Sequence, residues 1–120
     1  MLNSKEILEI AVRAADSKRA EDIVALDVRK VSLLADYFVV LQGTSKRQMD
    51  AILEEIADQE EQAGVAVRRV EGKNSAKWVL IDLGDVVVNI FNPEERAYYN
   101  LEKLWANAGS VDVTKWIEAE

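Results

Sequence analysis

The stretch SAKWVLIDLGDVVVNIF, from Ser75 to Phe91, carries two apolar-rich runs, Trp78 to Ile81 and Val86 to Phe91, on either side of a glycine, Gly84, and reads like the two strands of a hairpin. Two short runs rich in Val and Ile around a turn glycine predict a β-hairpin. With Leu83 and Gly84 as the loop residues, Ile81 lies opposite Val86, Leu80 opposite Val87 and Trp78 opposite Asn89. Val79, Ile81, Val86, Val88 and Ile90 then make an all-aliphatic face, and Trp78, Leu80, Val87, Asn89 and Phe91 make the other. A three-residue loop with a glycine bulge moves the pairing by one and mixes the two sets. The first arrangement is preferred because it keeps Asn89 off the aliphatic face, where an unpaired buried amide costs about 1–3 kcal/mol. The hairpin leaves two roles open for Trp78: core, since Trp is highly buried on average, or an anchor for a partner, flanked by Lys77 and Leu80.

Around the hairpin the other elements follow. Asn3 with Glu6 has capping-box spacing, and Ile7, Leu8, Ala11, Ala14 and Ala15 recur at helical spacing, predicting a first helix to Asp16 or Lys18. DIVALDV (Asp22 to Val28) and DYFVVLQG (Asp36 to Gly43) read as strands rich in β-branched and aromatic residues. Ser45 with Gln48 opens a second helix carrying Met49, Ile52, Leu53 and Ile56 on one stripe, and Gly64 ends it. VAVRRVE predicts a third strand. Asn92 and Pro93 start a last helix in which Tyr98, Leu101, Leu104, Trp105 and Ala108 share a face and which Gly109 closes. The expectation is one α/β domain over residues 1–109, a mixed five-stranded sheet with about three main helices, and a tail over 110–120. Three helices thinly cover five strands, so one sheet face is expected to be partly bare, and a bare face is a binding face.

The chain of 120 residues contains neither Cys nor His. That excludes disulfides, Cys nucleophiles, Ser-His-Asp triads and the usual zinc sites. A formal net charge of −7 disfavours direct binding to a phosphate backbone and favours a basic protein partner. No run approaches the ~20 apolar residues of a membrane span, and the amphipathic, acid-bearing N-terminus is unlike a secretory signal. The expected location is the cytoplasm. Gly43, Thr44 and Ser45, between a strand and a helix, offer backbone N–H groups that suit a phosphate, but without P-loop spacing or its Lys. Asp82 and Asp85 bracket the hairpin turn, and solvated turn aspartates are the commoner reading. Nucleotidyltransferases place a Gly-Ser pair at a helix start and an Asp-x-Asp on the next strand. Here that strand, VAVRRVE, has no such pair. Asp27 and Asp36 sit at strand edges, where they orient turns. An enzyme that binds nucleotides or transfers nucleotidyl groups through Gly43 to Ser45 and these aspartates is the alternative to a binding module.

ADYFVVLQGTS (Ala35 to Ser45), EG followed by NSAKWVLIDLGDVVV, and YYNLEKLW (Tyr98 to Trp105) occur in one order. Together they make the chain resemble the ribosomal silencing factor, or Iojap-like, family from about Ile7 to Trp105. The resemblance implies a nucleotidyltransferase-like topology without its catalytic residues, no enzymatic activity and no cofactor. It implies a translational repressor that binds ribosomal protein L-fourteen on the large ribosomal subunit and sterically blocks joining of the small subunit, and a homodimer when free. By position, Trp78 matches the family's docking tryptophan, with Glu71, Asn74, Lys77 and Leu80 as flanking contacts and Gly84 as the turn glycine. Tyr98 and Trp105 match the last helix, where a core role is expected. Asn89 stands where the family commonly has histidine, which puts any role of that histidine in doubt, although an amide also donates and accepts.

Overall fold

The computed structural model describes residues 2–73, 77–104 and 108–117. Helix α1 (Ser4–Ser17) starts on the expected capping box: the Asn3 side chain accepts from the Glu6 N–H at 2.8 Å, and the Asn3 N–H donates to the Glu6 carboxylate at 3.1 Å. Strands β1 (Glu21–Asp27) and β2 (Tyr37–Gln42) pair antiparallel. Helix α2 (Lys46–Gln62) is capped by Ser45, whose hydroxyl accepts from the Gln48 N–H at 3.1 Å. The Gln48 side chain does not close a box with Ser45. It accepts from the Thr44 N–H at 2.7 Å and donates to the carbonyls of Lys18 and Arg19, tying the start of α2 to the end of α1. Strand β3 is short (Arg69–Glu71), because Val65 and Val67 pack against the core without entering the ladder. Strands β4 (Trp78–Asp82) and β5 (Val86–Phe91) form the hairpin.

The sheet has six strands in the order β3-β4-β5-β2-β1-β6, against the five expected. The sixth, β6 (Gly109–Val111), comes from the segment read as helix end and tail. It pairs antiparallel with β1, and Val113 beyond it is buried. The edge of β1 thereby gains a ladder partner instead of being left open. Only β2 and β5 run parallel, with α2 as part of their crossover. Tyr37, Val39, Leu41, Val79, Ile81, Val86, Val88 and Ile90 line the inner sheet face. They pack against Ile7, Leu8, Ala11 and Val12 of α1 and Met49, Ile52, Leu53 and Ile56 of α2 in one core.

The hairpin register differs from both arrangements considered from the sequence. Leu80 lies opposite Asn89, Ile81 opposite Val88 and Trp78 opposite Phe91, a shift of two residues from the preferred pairing. The two loop residues are Gly84 and Asp85, with Leu83 N–H donating to the Val86 carbonyl at 2.9 Å. The reason is backbone geometry. The first loop position takes φ +91°, which Gly84 adopts freely and a leucine resists, so Leu83 stays just ahead of the loop and buries its side chain. Because the shift is even, both face sets survive unchanged.

The last helix is broken. Asn100, at φ +47° and ψ +56°, ends α3 (Pro93–Tyr99) in the left-handed region, and a single turn α4 (Leu101–Leu104) follows. Tyr98 therefore does not join a continuous apolar stripe. It is 80% exposed, against the core role expected of it. Trp105 lies outside the described residues.

Candidate functional site

The outer sheet face is read off the strand register. One row runs Leu26, Phe38, Val87; the next Val24, Val40, Asn89, Leu80; the third Gln42, Phe91, Trp78. A small second cluster, Leu26, Val28 and Ala35, covers one end of this face. Val24, Phe38, Val87, Leu80 and Trp78 are only half-buried. The expected partly bare face is thus present, and it is the one that carries Trp78.

At the Trp78 end the rings form a ladder. Phe91, itself buried, stacks with Trp78 at 5.0 Å between centroids and 26° between planes. Tyr99 lies 4.9 Å from the indole at 47°, and Tyr98 meets Tyr99 edge-on at 5.2 Å. Helix α3 brings these tyrosines here because Asn92 caps it directly after β5: its side chain accepts from the Glu95 N–H at 2.8 Å, and Pro93 presets the first turn. Tyr99 remains 42% exposed, so the ladder ends in solvent rather than in core. The indole N–H points the other way. It donates to Asn89 Oδ1 at 3.1 Å, and Asn89 Nδ2 donates to the Val39 carbonyl at 3.3 Å. Trp78 is therefore neither sealed nor loose, being held on its polar edge and capped in part by a tyrosine.

Glu71 pairs directly opposite Leu80, and Lys77 precedes Trp78 at the start of β4; both charged residues are exposed. The structure thus brings Glu71, Lys77, Trp78 and Leu80 together at the β3–β4 edge, while Asn74 lies outside the described residues. Arg69 sits 3.5 Å from Glu71 and 3.9 Å from Asp82, spreading charge along the same rim. Sequence reasoning missed three contributors. Tyr99 was hidden behind its neighbour Tyr98, and Asn89 was read as a liability to segregate rather than as the indole's acceptor. Gly72 was passed over. Its φ is +76°, and a Cβ there would stand 2.3 Å from the Trp78 carbonyl oxygen, so only glycine lets the chain pass the start of β4 this closely. The positive φ at Asn100 had a legible signal, since Asn tolerates the left-handed region better than other non-glycine residues.

The parts of the nucleotide alternative are far apart. Gly43 to Ser45 follow β2 at the end where Gln42 pairs with Phe91, whereas Asp27, Asp36, Asp82 and Asp85 gather where Tyr37 pairs with Val86. Six strand residues at about 3.3 Å each separate the two ends by roughly 17–20 Å. The N–H groups of Gly43 and Thr44 are also taken, by the Phe91 carbonyl at 2.9 Å and by Gln48. The aspartates serve turns. Asp82 accepts from the Gly84 N–H at 2.8 Å, and the Asp85 carbonyl accepts from the N–H groups of Asp36 and Tyr37. The Arg29 guanidinium, hydrogen-bonded to Asp27 at 2.6 Å, holds that carboxyl below the usual range.

Residues 1–120 match the family model described as "Ribosomal silencing factor during starvation". The ribosomal silencing factor RsfS of Bacillus subtilis (strain 168) is 54% identical over 112 residues, covering 93% of this chain and 95% of the relative. A crystal structure from Bacillus halodurans, 47% identical, superposes with a TM-score of 0.80 over 90% of this chain and 98% of its own. Another, from Chromobacterium violaceum, is 35% identical with a TM-score of 0.86 over 92% and 91% of the two chains.

Proposed function

Because the chain belongs to the ribosomal silencing factor, or Iojap-like, family, we propose that it silences translation by docking on ribosomal protein L-fourteen of the large ribosomal subunit, where its bulk stands in the way of the small subunit. No bond is made or broken and no cofactor takes part. The observation that carries this reading is the half-buried Trp78 at the end of a partly bare sheet face, continued outward by Tyr99 and Tyr98. Aromatic side chains that are already ordered lose little freedom on binding and supply large contact area, the features of interface hot spots. Trp78 is the anchor, and Leu80, Lys77, Asn74 and Glu71 form its rim. The net charge of −7 speeds encounter with a basic ribosomal protein and repels misdirected approaches over ribosomal RNA. The protein acts in the cytoplasm, and free copies pair as homodimers through the same face.

Sedimentation with purified large subunits, followed by addition of small subunits, tests the mechanism. Trp78→Ala is expected to weaken binding at least thirtyfold, the equivalent of a hot-spot loss of ~2 kcal/mol, while the circular dichroism spectrum stays native. Wild-type affinity in that variant removes Trp78 from the interface. A wild-type protein that binds large subunits yet lets whole ribosomes form contradicts the steric block.

A further inference from the structure

Asn89 is the one polar residue in the middle of the outer face, and it is 0% exposed. Its row neighbours are Val40 on one side and Leu80 on the other, so an aliphatic residue would suit the position as packing. A buried amide is costly unless its donors and acceptors are used. Here both ends are used, in series: the indole N–H of Trp78 donates to Oδ1 at 3.1 Å, and Nδ2 donates to the main-chain carbonyl of Val39 at 3.3 Å. Val39 lies in β2, the strand flanked by β5 and β1 inside the sheet, so the relay fastens a half-buried side chain on β4 to the rigid middle of the fold.

We propose that Asn89 is a positioning residue for docking: its amide locks the Trp78 ring by the N–H in the orientation that stacks on Phe91, so that the partner meets a pre-set surface. The inference rests on the docking role of Trp78 given above. Ring contacts with Phe91 and Tyr99 hold the plane of the indole but do not distinguish the edge that bears the N–H, because both orientations keep ring overlap; a hydrogen bond to a fixed acceptor selects one of them. Fixing the orientation of the anchor ring before binding removes an ordering cost from the association itself. The bond also turns the ring's only N–H inward, so the surface offered outward is carbon and π-face rather than a donor.

The test compares wild type with Asn89→Leu, Asn89→Ser and Asn89→His. Hydrogen exchange of the Trp78 indole proton is followed by nitrogen-15 NMR on the free protein, and binding is measured with purified large subunits. Trp78→Phe assigns the resonance against those of Trp105 and Trp116. Leucine cannot accept, and a serine hydroxyl falls short of the ring. Both variants are expected to speed exchange of this one indole proton at least tenfold and to weaken binding at least tenfold. The imidazole, accepting on one nitrogen and donating from the other, restores both. If Asn89→Leu does not fold, Asn89→Ser carries the same comparison. Unchanged indole exchange in a folded variant overturns the proposal, as does faster exchange with wild-type affinity. Should Trp78→Ala bind normally, the docking reading fails instead, and the exchange data on the free protein tell the two failures apart.

Discussion

Replacing Glu60 with leucine is expected to stabilise the protein at neutral and alkaline pH and to flatten its stability profile. Glu60 continues the stripe of Met49, Ile52, Leu53 and Ile56 on α2, so the helix carries its carboxyl into the interior. It is 0% exposed, and neither carboxyl oxygen has a hydrogen-bond partner. Burial pushes the carboxyl up to about 8, from an ordinary value of 4.5. A charged form disfavoured in the fold but free in the unfolded chain means that the unfolded state binds fewer protons between these values. Stability is therefore fully present below about 4.5 and is lost as pH rises towards about 8. At ~1.4 kcal/mol per unit the whole window amounts to about 5 kcal/mol, of which ~3 kcal/mol is gone by pH 7. Leucine fills similar volume without a group to protonate, so its advantage grows across this window. Urea unfolding followed by circular dichroism at pH 5, 7 and 8.5 reads the effect for wild type and variant. Parallel stability–pH curves for the two proteins would refute the reasoning, because the carboxyl would then titrate alike folded and unfolded.

Gly72→Ala forces a Cβ to within 2.3 Å of the Trp78 carbonyl at a positive φ; it is expected to cost about 2 kcal/mol or more of unfolding free energy measured in urea, the level of other special-backbone losses, and to weaken large-subunit binding as the start of β4 shifts. Tyr99→Ala removes the outer stacking partner of Trp78 and should cost ~0.5–1.5 kcal/mol of stability, with a measurable fall in large-subunit affinity. Asn100→Gly should leave thermal stability unchanged within a degree or two, whereas Asn100→Val should lower stability by about 1–2 kcal/mol, because the cap sits at φ +47°.

Much of the architecture was legible because it is written in local chemistry. The capping box at Asn3, the Ser45 cap, Gly64 as a helix stop and Pro93 at a helix start all depend on residues a few positions apart. The misreadings have nonlocal or conformational causes. The helix after Pro93 looked continuous, since Leu101 and Leu104 keep its periodicity, yet one left-handed residue ends it. VAVRRVE alternates well, but only Arg69–Glu71 find a ladder partner in β4. Gly109 looked like a helix stop and begins a strand, because β1 offers it an edge. Of the site, Glu71, Lys77, Trp78 and Leu80 were named from the sequence. Their shared edge, and the rings and amide that hold the indole, come from strands and a helix far apart in the chain.

By itself the sequence determined the family and favoured the two faces of the hairpin with Asn89 off the aliphatic one, a preference that holds under any even shift of register because successive strand residues point to opposite faces. Only the tertiary structure decided what lies across from what. Pairing, turn placement and the return of β6 to β1 depend on backbone angles and on partners distant in sequence. For the same reason only the fold could show that the buried amide of Asn89 holds the Trp78 N–H, and that the ring is partly capped by its own Tyr99 while still reaching solvent.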